Sequence, residues 1–135
     1  MKVLSIVNRK GSSGKTTCAS LFAVESTRLG LKTVVIDMDP KKTLKTWWSS
    51  RTDENPYFVE SSPVDIFDHL EKLSTKGFDL CIIDTPSDAS VYTTVGIKVS
   101  DLVVIPTIPT VPYLRGLGRT ISVVEENRKP FLFVL

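Results

Sequence analysis

The stretch Arg9-Lys10-Gly11-Ser12-Ser13-Gly14-Lys15-Thr16-Thr17 gathers two glycines, two lysines and four hydroxyl groups in a turn-forming segment. That combination suits an anion. Glycines let successive backbone N–H groups curl around phosphate oxygens. A helix that starts near Lys15 aims the positive end of its dipole at the same charge. The Lys15 ammonium adds a full charge for the β- and γ-phosphates of a nucleotide, and the Thr16 hydroxyl is a ligand for Mg²⁺. The standard phosphate-loop spacing, G-x-x-x-x-G-K-S/T, is not met to the letter, because Arg9 stands at the first glycine. A Gly/Ser-rich turn that merely ends in Gly-Lys-Thr is the competing reading, and two carboxylate segments weigh against it.

Asp84 closes the apolar run FDLCIID. A carboxylate there lies beside the phosphate loop if the two strands are neighbours, and it can hold Mg²⁺ directly or through water. Capping of the following helix is the plainer alternative. Asp37-Met38-Asp39-Pro40 closes another apolar run. Ligands of open α/β sheets bind at that edge, where two carboxylates can orient a water or complete a metal shell. Asp37 therefore joins Thr16 and Asp84 as a candidate metal-binding residue.

These groups need elements to bring them together. Val3 to Val7 reads as a buried strand, broken by Gly11 to Gly14. Thr16 to Leu29 carries Leu21, Val24 and Leu29 at helical spacing, with Gly30 as its C-cap. Further strands are expected at Thr33 to Ile36, Phe78 to Ile83, Leu102 to Ile105 and Phe131 to Leu135, with a short edge strand at Tyr57 to Glu60. Helices are expected at Thr43 to Ser50, from Pro63 to Gly77 with Ile66, Phe67, Leu70 and Leu73 on one face, at Asp88 to Val99, and at Pro112 to Asn127 with Leu117, Ile121 and Val124 inward. The alternation predicts an α/β fold with a mostly parallel twisted sheet and helices on both faces. A single domain over residues 1–135 is expected. Because the chain stops inside an apolar run, a missing C-terminal portion is also expected.

Bulk properties exclude several alternatives. With 17 basic and 15 acidic residues the net charge is +2, too balanced to argue for nucleic acid by itself. Cys18, Cys81 and the one histidine, His69, share no metal-ligand spacing. Both cysteines read as small core residues in a reducing, cytoplasmic compartment. The first apolar run is too short for a secretory signal, and no stretch approaches the ~20 apolar residues of a membrane span. A catalytic triad cannot be built on one histidine. Trp47 and Trp48 are read as packing residues rather than as a base-stacking pair, and Arg115 and Arg119 as a solvated face rather than a DNA-binding stripe.

Taken together, KGSSGKTT, DMDP, CIIDTPSD and SDLVVIPTIPT resemble the ParA/MinD family of deviant-Walker P-loop ATPases, nearest the small plasmid partition members. The resemblance implies a SIMIBI-type P-loop fold and Mg-ATP bound by Lys10, Gly11, Ser12, Ser13, Gly14, Lys15, Thr16 and Thr17. It implies three catalytic residues: Lys15 in cis, Asp39 positioning the attacking water, and Lys10 as a signature lysine reaching the partner's phosphates in an ATP-dependent homodimer. It further implies non-specific DNA, a ParB-like centromere-binding protein and a nucleoid-associated location, with no membrane partner. A MinD-like membrane-cycling ATPase and a nucleotide-binding module with little turnover are the alternatives. Three positions depart from the family pattern: Ser12 replaces a glycine, Lys41 replaces a glutamine, and Tyr113 stands where P-S-x-x-D has its acid.

Overall fold

The computed structural model describes residues 1–88 and 90–135. Strands and helices alternate along the chain as β1 (Lys2–Ile6), α1 (Lys15–Arg28), β2 (Thr33–Asp37), α2 (Thr43–Ser49), β3 (Tyr57–Glu60), α3 (Ile66–Thr75), β4 (Leu80–Asp84), α4 (Val91–Val99), β5 (Leu102–Pro106), α5 (Val111–Glu126) and β6 (Phe131–Val134). The six strands form one sheet in the order β3-β2-β4-β1-β5-β6, with every pairing parallel. Tyr57–Glu60 is indeed an edge strand.

Side chains alternate across this sheet, so each strand feeds two cores. Ile6, Val35, Ile82 and Val104 face α1 and α2, meeting Cys18, Ala19, Ala23 and Leu44. On the other face Val34, Ile36, Cys81 and Ile83 meet Ile66 and Leu73 of α3. Val103 and Ile105 continue that face beneath α4 and α5, against Ile97, Leu117 and Val124. Burying each such aliphatic side chain contributes about 1.5–3 kcal/mol before the ordering entropy is subtracted. Cys18 and Cys81 are free and buried, and burial raises both thiol pKa values.

Helix placement differs from expectation in three places. On α1 the leucines Leu21 and Leu29 point to solvent, at 62% and 74% exposed, while Cys18, Ala19, Ala23 and Ser26 are buried. Small side chains let the helix lie close on the sheet, where leucines would hold it off. Helix α3 begins at Ile66 rather than Pro63: Pro63 sits in the preceding turn, and the Ser62 hydroxyl accepts the Asp65 N–H at 3.2 Å. Phe67 is exposed instead of inward. Helix α4 begins at Val91 rather than Asp88, and Ala89, within the segment expected to open it, lies outside the described residues.

Two close approaches fix the carboxyl edge of the sheet. A Cβ at Gly96 on α4 would fall 2.8 Å from Thr85 Cγ2. Ser5 Oγ donates to the Gly96 carbonyl at 2.6 Å, and Thr85 Oγ1 donates to the Ile6 carbonyl at 2.7 Å. Helix α4 thus rests on β1 and on the residue that follows Asp84. On the edge strand β3, Trp48 stacks on Phe58 with ring centroids 5.2 Å apart and donates its indole N–H to the Pro56 carbonyl, so this tryptophan is committed to packing.

Candidate phosphate-binding site

The connection from β1 to α1 is a tight loop. Ser12 (φ 57°) and Gly14 (φ 89°) both adopt the left-handed region, and Gly14 is the N-cap of α1. Glycine takes that conformation freely, but a serine at position 12 costs about 1 kcal/mol or more. Cys18 makes the first α1 hydrogen bond, to the Gly14 carbonyl. The amides of Lys15, Thr16 and Thr17 therefore have no partner within the helix. In front of them opens a cavity of about 310 Å³. Residues 12–17 form one wall, Asp39, Lys41 and Thr43 a second, and Ser87 a third.

Lys15 is buried, with Nζ donating to Ser87 Oγ at 2.6 Å and to the Lys10 carbonyl at 3.5 Å. Desolvation lowers its pKa from 10.5, against the opposing pull of Asp84 and Asp39. A desolvated ammonium bordering an open cavity gains strongly from an anion.

Asp84 is paired in register with Ile6 of β1 and with Asp37 of β2, so the neighbouring-strand condition set by the sequence is met. Thr16 Oγ1 donates to Asp84 Oδ2 at 2.6 Å. The second oxygen, Oδ1, is buried with no hydrogen-bond partner, as is Ser13 Oγ on the cavity wall. Buried polar atoms are nearly always satisfied in folded proteins; Ser13 lines the cavity, and Asp84 lies behind its wall, joined to it through Thr16. Burial pushes the Asp84 pKa up to about 7; the Thr16 hydrogen bond and Lys15 act against it, and Asp37 acts with it. A hydroxyl and a carboxylate are hard oxygen donors, the set that Mg²⁺ takes from protein while phosphate and water supply the rest. Among the described residues, no three His, Cys, Asp or Glu side chains are grouped to hold a metal by themselves.

Asp37 behaves differently from the expectation of a metal ligand. Its Oδ1 accepts the Asp39 N–H at 2.9 Å and its Oδ2 the Lys45 N–H at 3.0 Å. It is fully buried and does not border the cavity. Each oxygen accepts one backbone N–H, and these bonds turn the chain after β2 and anchor the first turn of α2. Asp39 does border the cavity, held by the Lys41 N–H on its Oδ1 at 2.9 Å.

Lys10 is also placed unexpectedly. Nζ donates to the Pro112 carbonyl at 3.0 Å and lies 4.6 Å from the Tyr113 ring centroid. It borders a separate depression of about 430 Å³, together with Arg9, Arg115, Gly116 and Arg119, and not the phosphate cavity. Two residues at the site escaped the sequence reading. Ser87 gave only a weak signal, a hydroxyl just past Asp84-Thr85-Pro86. Tyr113 registered only as a missing acid.

A family model for the CobQ/CobB/MinD/ParA nucleotide binding domain matches residues 4–135. The chain belongs to this family. Within it, the chain is 25% identical to the chromosome-partitioning ATPase Soj of Thermus thermophilus, over 93% of its own length and 62% of Soj. It thus spans less than two thirds of that relative. A plasmid partition protein from Borrelia burgdorferi shares the fold with a TM-score of 0.86 at 18% identity, covering 99% of this chain and 78% of that one. Cobyrinic acid a,c-diamide synthase from Mycobacterium smegmatis, solved with a bound ATP analogue and magnesium, superposes with a TM-score of 0.83 at 22% identity, covering 93% and 68%. The family's P-loop fold, with its parallel sheet and flanking helices, is therefore the fold of this chain.

Proposed function

We propose that this chain binds Mg-ATP in the cavity before α1 and hydrolyses it as a ParA-like partition ATPase. The observation that carries the reading is the Thr16–Asp84 hydrogen bond beside an unpartnered Asp84 oxygen. Amides of residues 11–17 would wrap the phosphates, and Lys15 would exchange Ser87 for the β- and γ-phosphate oxygens. Thr16 and Asp84 would hold Mg²⁺, which neutralises phosphate charge when bound. Asp39, on the facing wall, would orient the attacking water. Asp37 serves this arrangement by shaping the turn that carries Asp39 and is not proposed as a ligand.

Lys10 would act in trans, within an ATP-dependent homodimer, by neutralising charge that accumulates during phosphoryl transfer. Exposed Val111 and Leu114 beside its contact on α5 offer apolar surface for a second copy. Non-specific DNA, a ParB-like centromere-binding protein and a nucleoid-associated, cytoplasmic location follow from the partition reading. Soj, a chromosome-partitioning ATPase, supports it. No helix among the described residues is long and apolar enough to cross a membrane.

Titration with fluorescent ATP and GTP analogues, with and without Mg²⁺, tests the binding step. Sedimentation with and without nucleotide then tests dimerisation. Saturable Mg-dependent binding of the ATP analogue is expected; its absence would end the proposal.

A further inference from the structure

We propose that Tyr113 parks the Lys10 ammonium on α5, away from the phosphate cavity, and so restrains the step that Lys10 serves. The inference rests on the reading of Lys10 as a phosphate-directed lysine. It assigns Tyr113 as a positioning residue for that lysine.

Three observations converge on the pair. The Lys10 ammonium is bonded to the Pro112 carbonyl and lies over the face of the Tyr113 ring. Its aliphatic stem runs along the helix: the nearest atom to a Cβ built at Gly116 is Lys10 Cδ, at 3.7 Å. The Tyr113 hydroxyl reaches back to the carbonyls of Gly11 and Ser12, 3.2 Å from each. One side chain therefore grips both the lysine and the loop that carries it.

The parked position is also electrostatically poor. The first turn of α5 contains no acidic residue, and the amino end of a helix repels a cation. Arg9, Arg115 and Arg119 border the same depression and add like charge. The ring face and a single carbonyl oppose that repulsion. A polyanion arriving nearby would find a cation held by weak, exposed contacts and ready to move. Tyr113 thus sets how much attraction is needed before Lys10 leaves α5.

Amine labelling of the nucleotide-free chain, read by mass spectrometry, tests the parking directly. Exposed Lys98 serves as the internal reference. In Tyr113→Ala, Lys10 should be labelled several-fold faster relative to Lys98 than in the parent. Tyr113→Phe keeps the ring and should stay near the parent rate. Tyr113→Leu replaces the alanine variant if that one does not fold. Equal labelling in parent and Tyr113→Ala, or a Tyr113→Phe variant labelled as fast as Tyr113→Ala, would overturn the parking. Turnover per bound ATP tests the restraint: it should rise several-fold in Tyr113→Ala, and equal or lower turnover would overturn it. The labelling arm uses no nucleotide, so its failure is distinct from failure of the ATP-binding reading, which would appear as no analogue binding by the parent.

Discussion

Thr16 and Asp84 stand 68 residues apart in sequence, yet their side chains meet at 2.6 Å at the carboxyl edge of the sheet. The parallel pairing of β1 with β4 makes this possible, since it sets Ile6, the last residue before the loop connection, beside Asp84. A donor set for a hard cation is thereby assembled by strand order alone, before any nucleotide arrives.

Lys15→Ala should weaken binding of a fluorescent ATP analogue by roughly 10–100-fold, the worth of a charge-assisted contact. Because Lys15 is buried and desolvated, its removal should leave the fold intact by circular dichroism. Parent-like affinity in this variant would dismiss the phosphate-loop assignment.

Lys10→Ala should separate binding from turnover. Lys10 lies outside the phosphate cavity, so analogue affinity should change little. Hydrolysis should fall by on the order of 10³-fold if the lysine acts as a charge-neutralising finger. A malachite-green assay reads this, and undiminished phosphate release would rule out the role.

The buried Asp84 carboxyl makes stability pH-dependent in the absence of Mg²⁺ and nucleotide. Its pKa is raised from 3.8 to about 7. The folded state therefore holds this proton more tightly than the unfolded chain. The resulting stabilisation is complete below the ordinary value and is lost as pH rises through about 7, at about 1.4 kcal/mol per unit of pKa difference. Asp84→Asn, whose amide oxygen can still accept from Thr16, should lose this slope. Urea unfolding of both proteins in chelator, between about pH 5 and pH 8, checks it; parallel slopes would contradict the assignment.

Gly96→Ala should destabilise the fold by about 1–3 kcal/mol, the cost of overpacking. The added methyl would meet Thr85 Cγ2 at 2.8 Å, and Thr85 is itself bonded to the Ile6 carbonyl. Chemical denaturation measures the loss, and an unchanged midpoint would show that the helix can shift freely.

Much of this architecture was legible in the residues. Apolar runs such as TVVI and LVVI can be little else than strands covered on both sides, and a Gly-Lys-Thr-Thr segment after the first run locates the loop. Periodicity misled on α1, because hydrophobicity points to Leu21 and Leu29 whereas close approach to the sheet selects Ala19 and Ala23. It misled on Phe67 for a related reason: α3 starts three residues later than Pro63 suggests, and its buried stripe follows Ile66 and Leu73. Asp37 and Asp39 cannot be told apart by spacing, since either could face a ligand. Only the positions of the Asp39 and Lys45 amides show that Asp37 is engaged by the local backbone and that Asp39 is the one that borders the cavity. The direction of the Lys10 side chain depends on Pro112 and Tyr113, over a hundred positions away, and no local pattern records it.

The cavity's three walls come from stretches far apart in the chain: the loop before α1, the turn after β2 and Ser87 beyond β4. Their roots are stapled by sheet hydrogen bonds, and the Lys15–Ser87 bond joins the first wall to the third. A polyphosphate lodged among the tips would act as a rivet through all three. Its arrival would be felt as stiffening shared by distant segments, and its cleavage as the simultaneous loosening of each.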